Sequence, residues 1–363
     1  MFSRPYRCKK VNMERILIVR IGNIGDVLMT TPLARKLKGM FPRAGIDFVV
    51  SPHAEFAVRA NPYIDRVYVY RKYRKAFRRI RRFFFKRALR KNKYKMCFVL
   101  ESNREYMRFA YDVSGEDTLK IGYDGYECSG LLDKKREYSY GAHVIENQLF
   151  LLRDFLGADI SKDDFKMDFC FPENVSVKFK EGLDKKLDAI GKYYVVHPGC
   201  TEYLPLRAWN AEKFAEVINF ITDRGRHVFI TGSNNDREVI GNILKSCKNK
   251  REVTIFAGRD IWEAARVISK ARGVLSLDTG ILHLTMAFGV PLIGLFGPSS
   301  PAHTGPIGEG EYTALRKEFK CGPCHYYPEY RLEEKKKCLD GNITPCMKAI
   351  TAEEVIEVVS LWG

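Results

Sequence analysis

The chain has 363 residues, 45% of them hydrophobic and 12% aromatic, which is enough to bury two cores of ordinary domain size and excludes a disordered polymer. Lys and Arg outnumber Asp and Glu by 61 to 44, a formal net charge of +17. No apolar run reaches the roughly 18 residues of a membrane span, and the opening MFSRPYRCKKVNMER lacks the apolar segment of a signal peptide, so a cytosolic protein is expected.

In the stretch RILIVRIGNIGDVLMTTPLARKL, residues 15 to 37, Ile16 to Val19 predicts a buried strand. Gly22 and Gly25 predict a turn, and Val27 to Leu37 a helix that opens an α/β domain. In open parallel sheets, ligands bind beyond the carboxyl ends of the strands. Asp26 therefore either caps the helix or presents a carboxylate to a ligand, and the stretch alone leaves both open. Further strands are expected at 45–52, 65–70 and 95–102. Ahead of the last of these, residues 71–95 hold 14 Lys and Arg and no acid. As a helix this segment aligns Tyr73, Phe77, Ile80, Phe84 and Ala88 in one apolar stripe flanked by positive charge. That pattern suits an interfacial helix on an anionic membrane. The alternatives are a stripe docked on its own sheet with solvated arginines, or a nucleic-acid surface, for which no finger, RNA-recognition or helix-turn-helix signature is present.

Residues 171–192 are polar and helical in tendency, and a new strand begins at 193. We place the first domain at 1–180, the second at 190–348 and a C-terminal helix at 349–363. In the second domain, strands at 193–197, 227–232, 253–258, 273–278 and 291–297 alternate with helices at about 210–224, 235–248, 260–270 and 280–288. This alternation predicts a parallel sheet covered by helices. The fold class is α/β, with two Rossmann-like, doubly wound domains facing each other across a cleft.

The strongest local signal is LSLDTGILHLTMAFGVPLIGLFGPSSP, residues 275–301. Asp278, Thr279 and Gly280 follow a strand and open a helix, whose first-turn N–H groups are available to an anion. His283, on the next turn, points back to the same mouth, so a phosphate site is expected there; a capped helix with a buried histidine is the plainer alternative. In VVHPGCTEYLPLRAWNAEKFAEV, residues 195–217, Arg207 is placed to reach a diphosphate, and Trp209 is expected in the core. Asp236 and Glu238 lie near another strand end, where an acid can bind ribose hydroxyls. Cys321, Cys324, Cys338 and Cys346 have the spacing C-x2-C-x13-C-x7-C, which suits a structural zinc or four reduced thiols. The spacing of IGNIGD is not the G-x-G-x-x-G of a dinucleotide site, which argues against a dehydrogenase.

The order RIGNIGDVLMTTPLARKLKGMFPRAGIDFVV, VVHPGCTEYLPLRAWNAEKFAEV, TGSNNDRE and DTGILHLTMAFGVPLIGLFGPSSPAHTGPIG resembles glycosyltransferase family 9, the heptosyltransferases of lipopolysaccharide biosynthesis. The resemblance runs from about residue 14 to the C-terminal helix. It implies a GT-B fold, with the glycolipid acceptor on the N-terminal domain and an ADP-activated heptose on the C-terminal domain. Asp26 matches the family's proposed general base, and Asp278, Thr279, Gly280 and His283 match its donor-diphosphate element. A lysine usually stands where Arg207 aligns. An inverting single displacement that requires no cofactor is the implied mechanism; residues 71–95 depart most from the family pattern, and their charge, not the resemblance, is what leads us to expect them against the anionic cytoplasmic face of the inner membrane. A basic nucleic-acid-binding protein with a Rossmann-like fold is the competing class.

Overall fold

The computed structural model describes residues 15–72, 78–199, 205–308, 310–324, 338 and 344–362. Two units divide the chain, Met1–Cys170 and Phe171–Gly363. The first contains β1 (Arg15–Val19), α1 (Ile24–Leu28), α2 (Thr31–Met40), β2 (Gly45–Val50), β3 (Arg66–Val69), α3 (Arg78–Arg90), β4 (Met96–Val99), α4 (Arg104–Ser114), β5 (Leu119–Asp124), β6 (Lys134–Glu137) and α5 (Val144–Leu156). The second begins with α6 (Glu173–Glu181), α7 (Leu183–Ile190), β7 (Tyr193–His197), α8 (Ala211–Thr222), β8 (His227–Ile230), α9 (Arg237–Ser246), β9 (Val253–Ile255) and α10 (Ile261–Ser269). It continues with β10 (Gly273–Leu277), α11 (Gly280–Phe288), β11 (Leu292–Phe296), α12 (Pro301–Thr304), β12 (Tyr312–Arg316), α13 (Pro345–Lys348) and α14 (Ala352–Ser360).

All strand pairs are parallel. The sheets run β3-β2-β1-β4-β5-β6 and β12-β11-β10-β7-β8-β9. Counted from its own first strand, each sheet has the same doubly wound order, which reverses direction between β1 and β4 and between β7 and β10. Ligands bind at such reversals, beyond the carboxyl ends of the strands. The central strands are covered on both faces, and this explains their unbroken apolar runs: Ile16 through Val19 are wholly buried.

The helix expected from Val27 to Leu37 is two helices. Thr31 Oγ1 donates to Leu28 O at 2.7 Å, the carbonyl that Pro32, lacking an N–H, cannot engage. Strands β5, β6 and β12 were absent from the sequence expectation. β6 is a charged edge, KKRE, and β5 carries a buried Lys120 as its second residue, its Nζ donating to Thr118 O at 2.9 Å.

Residues 171–190 fall with the second unit because their anchors lie there. The Asp184 carboxylate accepts two bonds from Arg266 on α10, at 2.7 and 2.8 Å, and Phe171 stacks on Phe288 with ring centroids 5.7 Å apart. The C-terminal helix packs into the core of this unit too: Trp362 stacks on Tyr194, and Gly273 leaves the room its ring occupies. Trp209 is a core residue as expected, 4% exposed and edge-on to Phe214.

Candidate active site

In the first unit the site grows from the turn after β1. A Cβ at Gly22 would lie 2.6 Å from that of Asp26, so only glycine lets the carboxylate sit against the turn. Asp26 Oδ2 accepts from Asn23 N at 2.9 Å in a reciprocal cap of α1, and Oδ1 accepts from Arg20 Nη2 at 2.7 Å. Asp26 thus caps its helix and also stands at the sheet's reversal point, with its side chain 30% exposed.

Three neighbours of Asp26 escaped the sequence reading. Arg20 leaves the end of β1, and its Nη1 donates to Leu100 O at 2.5 Å. Glu101, just past β4, is 6% exposed and accepts from Ile21 N. Burial pushes its carboxyl up to about 7, against the opposing pull of Arg20. Burial lowers the Arg20 pKa, but Asp26 and Glu101 outweigh this and the net shift is upward. His53, after β2, lies 3.2 Å from Asn23 Oδ1 and 3.3 Å from Ser51 Oγ, and burial lowers its pKa. The available signal was position: both Arg20 and Glu101 stand where adjacent central strands end.

In the second unit the reversal point lies between β7 and β10. Thr279 caps α11, and the first intrahelical bond runs from Leu282 N to Thr279 O at 3.1 Å, which places the Gly280 and Ile281 N–H groups ahead of it. Arg207 donates to Asp278 O, and its Nη1 is 3.2 Å from Asp278 Oδ2. His283 Nε2 is 3.9 Å from Asp278 Oδ1. The structure therefore gathers Arg207, Asp278, Thr279, Gly280 and His283 into one cluster. Asp278 Oδ2 and Ser299 Oγ are buried without a hydrogen bond among the described residues; Ser299, after β11, was not singled out from the sequence. Together these set the Arg207 guanidinium, paired with Asp278, beside the first-turn N–H groups of α11, an arrangement suited to an anion.

Asp236 and Glu238 do not join this cluster. Asp236 Oδ2 accepts from Ser233 N at 2.6 Å and from Ser233 Oγ at 2.7 Å, and the carboxylate fills the space that Gly199 leaves open. Glu238 is exposed on α9. Cys321, Cys324, Cys338 and Cys346 border one cavity beside Leu206 and Arg316, and burial pushes the Cys324 thiol up to about 11. Among the described residues no three His, Cys, Asp or Glu side chains are grouped to hold a metal, so the geometry does not support the zinc expectation.

Of the basic stripe, Tyr73 and Phe77 lie outside the described residues. Ile80 and Phe84 are 58% and 62% exposed, and Phe83 is 60% exposed. The helix docks through another face: Phe85 stacks on Phe109 at 5.8 Å and Leu89 is buried. Arg82 bonds Tyr70 and Glu105, and Lys86 pairs with Asp112. Among the described residues no helix is long and apolar enough to cross a membrane.

Residues 82–333 match glycosyltransferase family 9 (heptosyltransferase). The chain is 25% identical over 349 residues to lipopolysaccharide heptosyltransferase 1 of Pseudomonas aeruginosa, covering 90% of this chain and 91% of that protein. It is 25% identical over 342 residues to lipopolysaccharide heptosyltransferase 3 of Escherichia coli, covering 91% and 94%. A family 9 glycosyltransferase structure from Veillonella parvula superposes with a TM-score of 0.80 at 18% identity, covering 98% of each chain. An E. coli heptosyltransferase solved with ADP gives 0.73 at 20%, covering 96% of this chain and all of the other. Two doubly wound parallel sheets with neighbours of this build define a GT-B fold. The chain belongs to glycosyltransferase family 9, the heptosyltransferases. The nucleic-acid-binding alternative finds no support in these comparisons.

Proposed function

We propose that the chain moves a heptose from ADP-heptose to a sugar hydroxyl of a lipopolysaccharide core by inverting single displacement. The observation that carries this is the cluster of Arg207, Asp278 and His283 at the start of α11, at a sheet reversal in a chain of this family. Relatives named as lipopolysaccharide heptosyltransferases and a neighbour solved with ADP support the choice of donor and acceptor.

In this mechanism Asp26 takes the proton from the acceptor hydroxyl as its oxygen bonds the anomeric carbon. The bond from that carbon to the diphosphate breaks, and the electron pair leaves with ADP. Arg207 and the Gly280 and Ile281 N–H groups stabilise the charge that develops on the leaving diphosphate, with His283 beside them. Thr279 supplies a further hydroxyl at the helix start. Asp236 and Glu238 have no part in this scheme, since the first is committed to Ser233 and the second faces solvent.

The acceptor of such a reaction is lipid-anchored, and α3 supplies a surface for reaching it. Ile80, Phe83 and Phe84 project outward among exposed arginines, a combination that inserts at the boundary of an anionic bilayer. This makes the protein a peripheral enzyme of the cytoplasmic membrane face. Incubation of the full chain with ADP-heptose and heptose-deficient lipopolysaccharide should release ADP and lengthen the acceptor by one heptose. An acceptor of unchanged mass, with or without ADP release, would overturn the assignment.

A further inference from the structure

We infer that His53 binds the acceptor sugar: Nδ1 of its ring takes the hydrogen bond of a second hydroxyl on the sugar whose first hydroxyl reacts at Asp26, and so fixes which hydroxyl meets the base. The inference rests on the reading of Asp26 as that base.

One run of hydrogen bonds knits the turn after β1 to the turn after β2. The two strands pair as far as Val19 and Val49, so both turns open at the same end of the sheet. Ser51 Oγ donates to Gly22 O at 2.6 Å. His53 Nε2 lies 3.2 Å from Asn23 Oδ1 and 3.3 Å from Ser51 Oγ. Asn23 N in turn donates to Asp26 Oδ2 at 2.9 Å. His53 is therefore held on the same turn that presents the Asp26 carboxylate, one residue removed from it.

These partners assign the ring's hydrogen. The Ser51 hydroxyl hydrogen is committed to Gly22 O, and the Asn23 side chain accepts from the backbone of Asp26 in the helix cap, so both neighbours of Nε2 accept. Nε2 carries the hydrogen, and in the neutral ring Nδ1 keeps its lone pair. Burial lowers the ring's pKa against the pull of Asp26, which keeps it neutral at neutral pH. Among the described residues Nδ1 has no hydrogen-bond partner, and His53, like Asn23, is exposed.

Nδ1 and the ionised Asp26 carboxylate are both acceptors. A phosphate or a carboxylate brings them no hydrogen and is repelled by Asp26, whereas a sugar ring brings several O–H donors. One hydroxyl gives its proton to Asp26 as its oxygen bonds the anomeric carbon. The other keeps its hydrogen and stays on Nδ1 throughout, so His53 orients the sugar and takes no proton.

The test is steady-state transfer from ADP-heptose to heptose-deficient lipopolysaccharide by the parent, His53→Ala, His53→Gln and Asp26→Asn. Parent and His53→Ala are also given synthetic acceptors that each lack one hydroxyl of the reacting sugar. His53→Ala should raise KM for the acceptor about fivefold, the worth of one hydrogen bond between neutral groups, with KM for ADP-heptose unchanged. His53→Gln offers an N–H to Asn23 and an oxygen to the sugar, and should bring the acceptor KM back to within about twofold of the parent. One deoxy acceptor should show the same fivefold loss with the parent and no further loss with His53→Ala. A fall in kcat with the acceptor KM unchanged would mark a residue that only holds the cap, and overturns the proposal. If the alanine variant does not fold, deoxy acceptors that all match the full acceptor in KM with the parent overturn it. Activity surviving in Asp26→Asn would instead remove the base on which the inference rests, whereas an inactive Asp26→Asn beside a parental acceptor KM in His53→Ala removes the inference alone.

Discussion

Asp26 Oδ2 closes the first turn of α1 while Oδ1 meets Arg20, so a substitution that keeps the shape of the side chain separates chemistry from architecture. Asp26→Asn retains an oxygen for the cap but cannot take a proton. Its kcat should fall by about 10²- to 10⁴-fold while ADP affinity stays at the parental value by calorimetry. Turnover within about threefold of the parent would deny Asp26 the role of base. On the donor side, His283→Ala and Arg207→Ala should each weaken ADP binding by about tenfold, or roughly 1.4 kcal/mol. Arg207→Ala carries a second cost, because Asp278 is 2% exposed and would lose its cation, so its melting temperature should fall as well. Arg207→Lys should restore the charge without the two-pronged geometry and bind ADP between the two. Unchanged ADP affinity in both alanine variants would place the donor elsewhere. Glu101 makes a separate prediction about stability. Its carboxyl titrates near 7 when folded against an ordinary 4.5, so the folded state holds the proton more tightly. The contribution to stability is full below about pH 4.5 and is lost as pH rises through 7. Glu101→Gln should therefore gain stability over the parent above pH 7, by up to about 3 kcal/mol, and show little difference below pH 4.5. Denaturant titrations at the two pH values measure it, and equal differences at both would refute the placement of the buried charge.

At the scale of elements, α3 shows how a sequence pattern can be right in kind and incomplete in its account of faces. Periodicity identified a charged amphipathic helix, but a helix rich in both Phe and Arg has two apolar edges, and only tertiary packing decides which one is buried. Phe85 and Leu89 meet the body of the unit, while Ile80, Phe83 and Phe84 remain outside. The arginines divide likewise. Arg82 is bound to Tyr70 and Glu105 and belongs to the architecture, whereas Arg79, Arg81 and Arg87 are exposed. A membrane test must therefore spare Arg82. Replacing Arg79, Arg81 and Arg87 with Gln removes about 1 kcal/mol of surface attraction each, and replacing Phe83 and Phe84 with Ser removes apolar insertion. The combined variant should no longer sediment with phosphatidylserine vesicles at physiological salt, its circular dichroism should be unchanged, and its activity on a lipid-free acceptor should stay near that of the parent. Equal sedimentation of parent and variant, or none by either, would show that this edge of α3 does not bind membrane.

Across the whole molecule, the legible parts were those where local chemistry and global position agree. In the second sheet β7, β8, β10 and β11 could be read because they are central and apolar, and the turn from β10 into α11 carries its own chemistry in Asp278, Thr279, Gly280 and His283. Of the four edge strands, β6 and β12 were not legible, since a strand paired on one side only need not be apolar, and KKRE carries no period that distinguishes it from a loop. Of Arg20, Asp26 and Glu101 only Asp26 was legible, for a related reason: Glu101 stands 75 residues beyond Asp26, and only the pairing of β1 with β4 brings its strand end beside the turn after β1. The division of labour between the units makes the last prediction. Every group assigned to the donor diphosphate lies in Phe171–Gly363, and the proposed base lies in Met1–Cys170. ADP, used alone at about a hundred times its Kd, should stabilise the fold that binds it by about 2.7 kcal/mol. Amide hydrogen exchange on the full chain with ADP should therefore slow around Arg207 and the first turn of α11, with the turn at Gly22 to Asp26 changing little. The same pattern should hold in Asp26→Asn, since that change leaves the donor cradle intact. Protection concentrated in the first unit would transfer the nucleotide to the wrong side of the proposed reaction and with it exchange the roles given to Asp26 and Arg207.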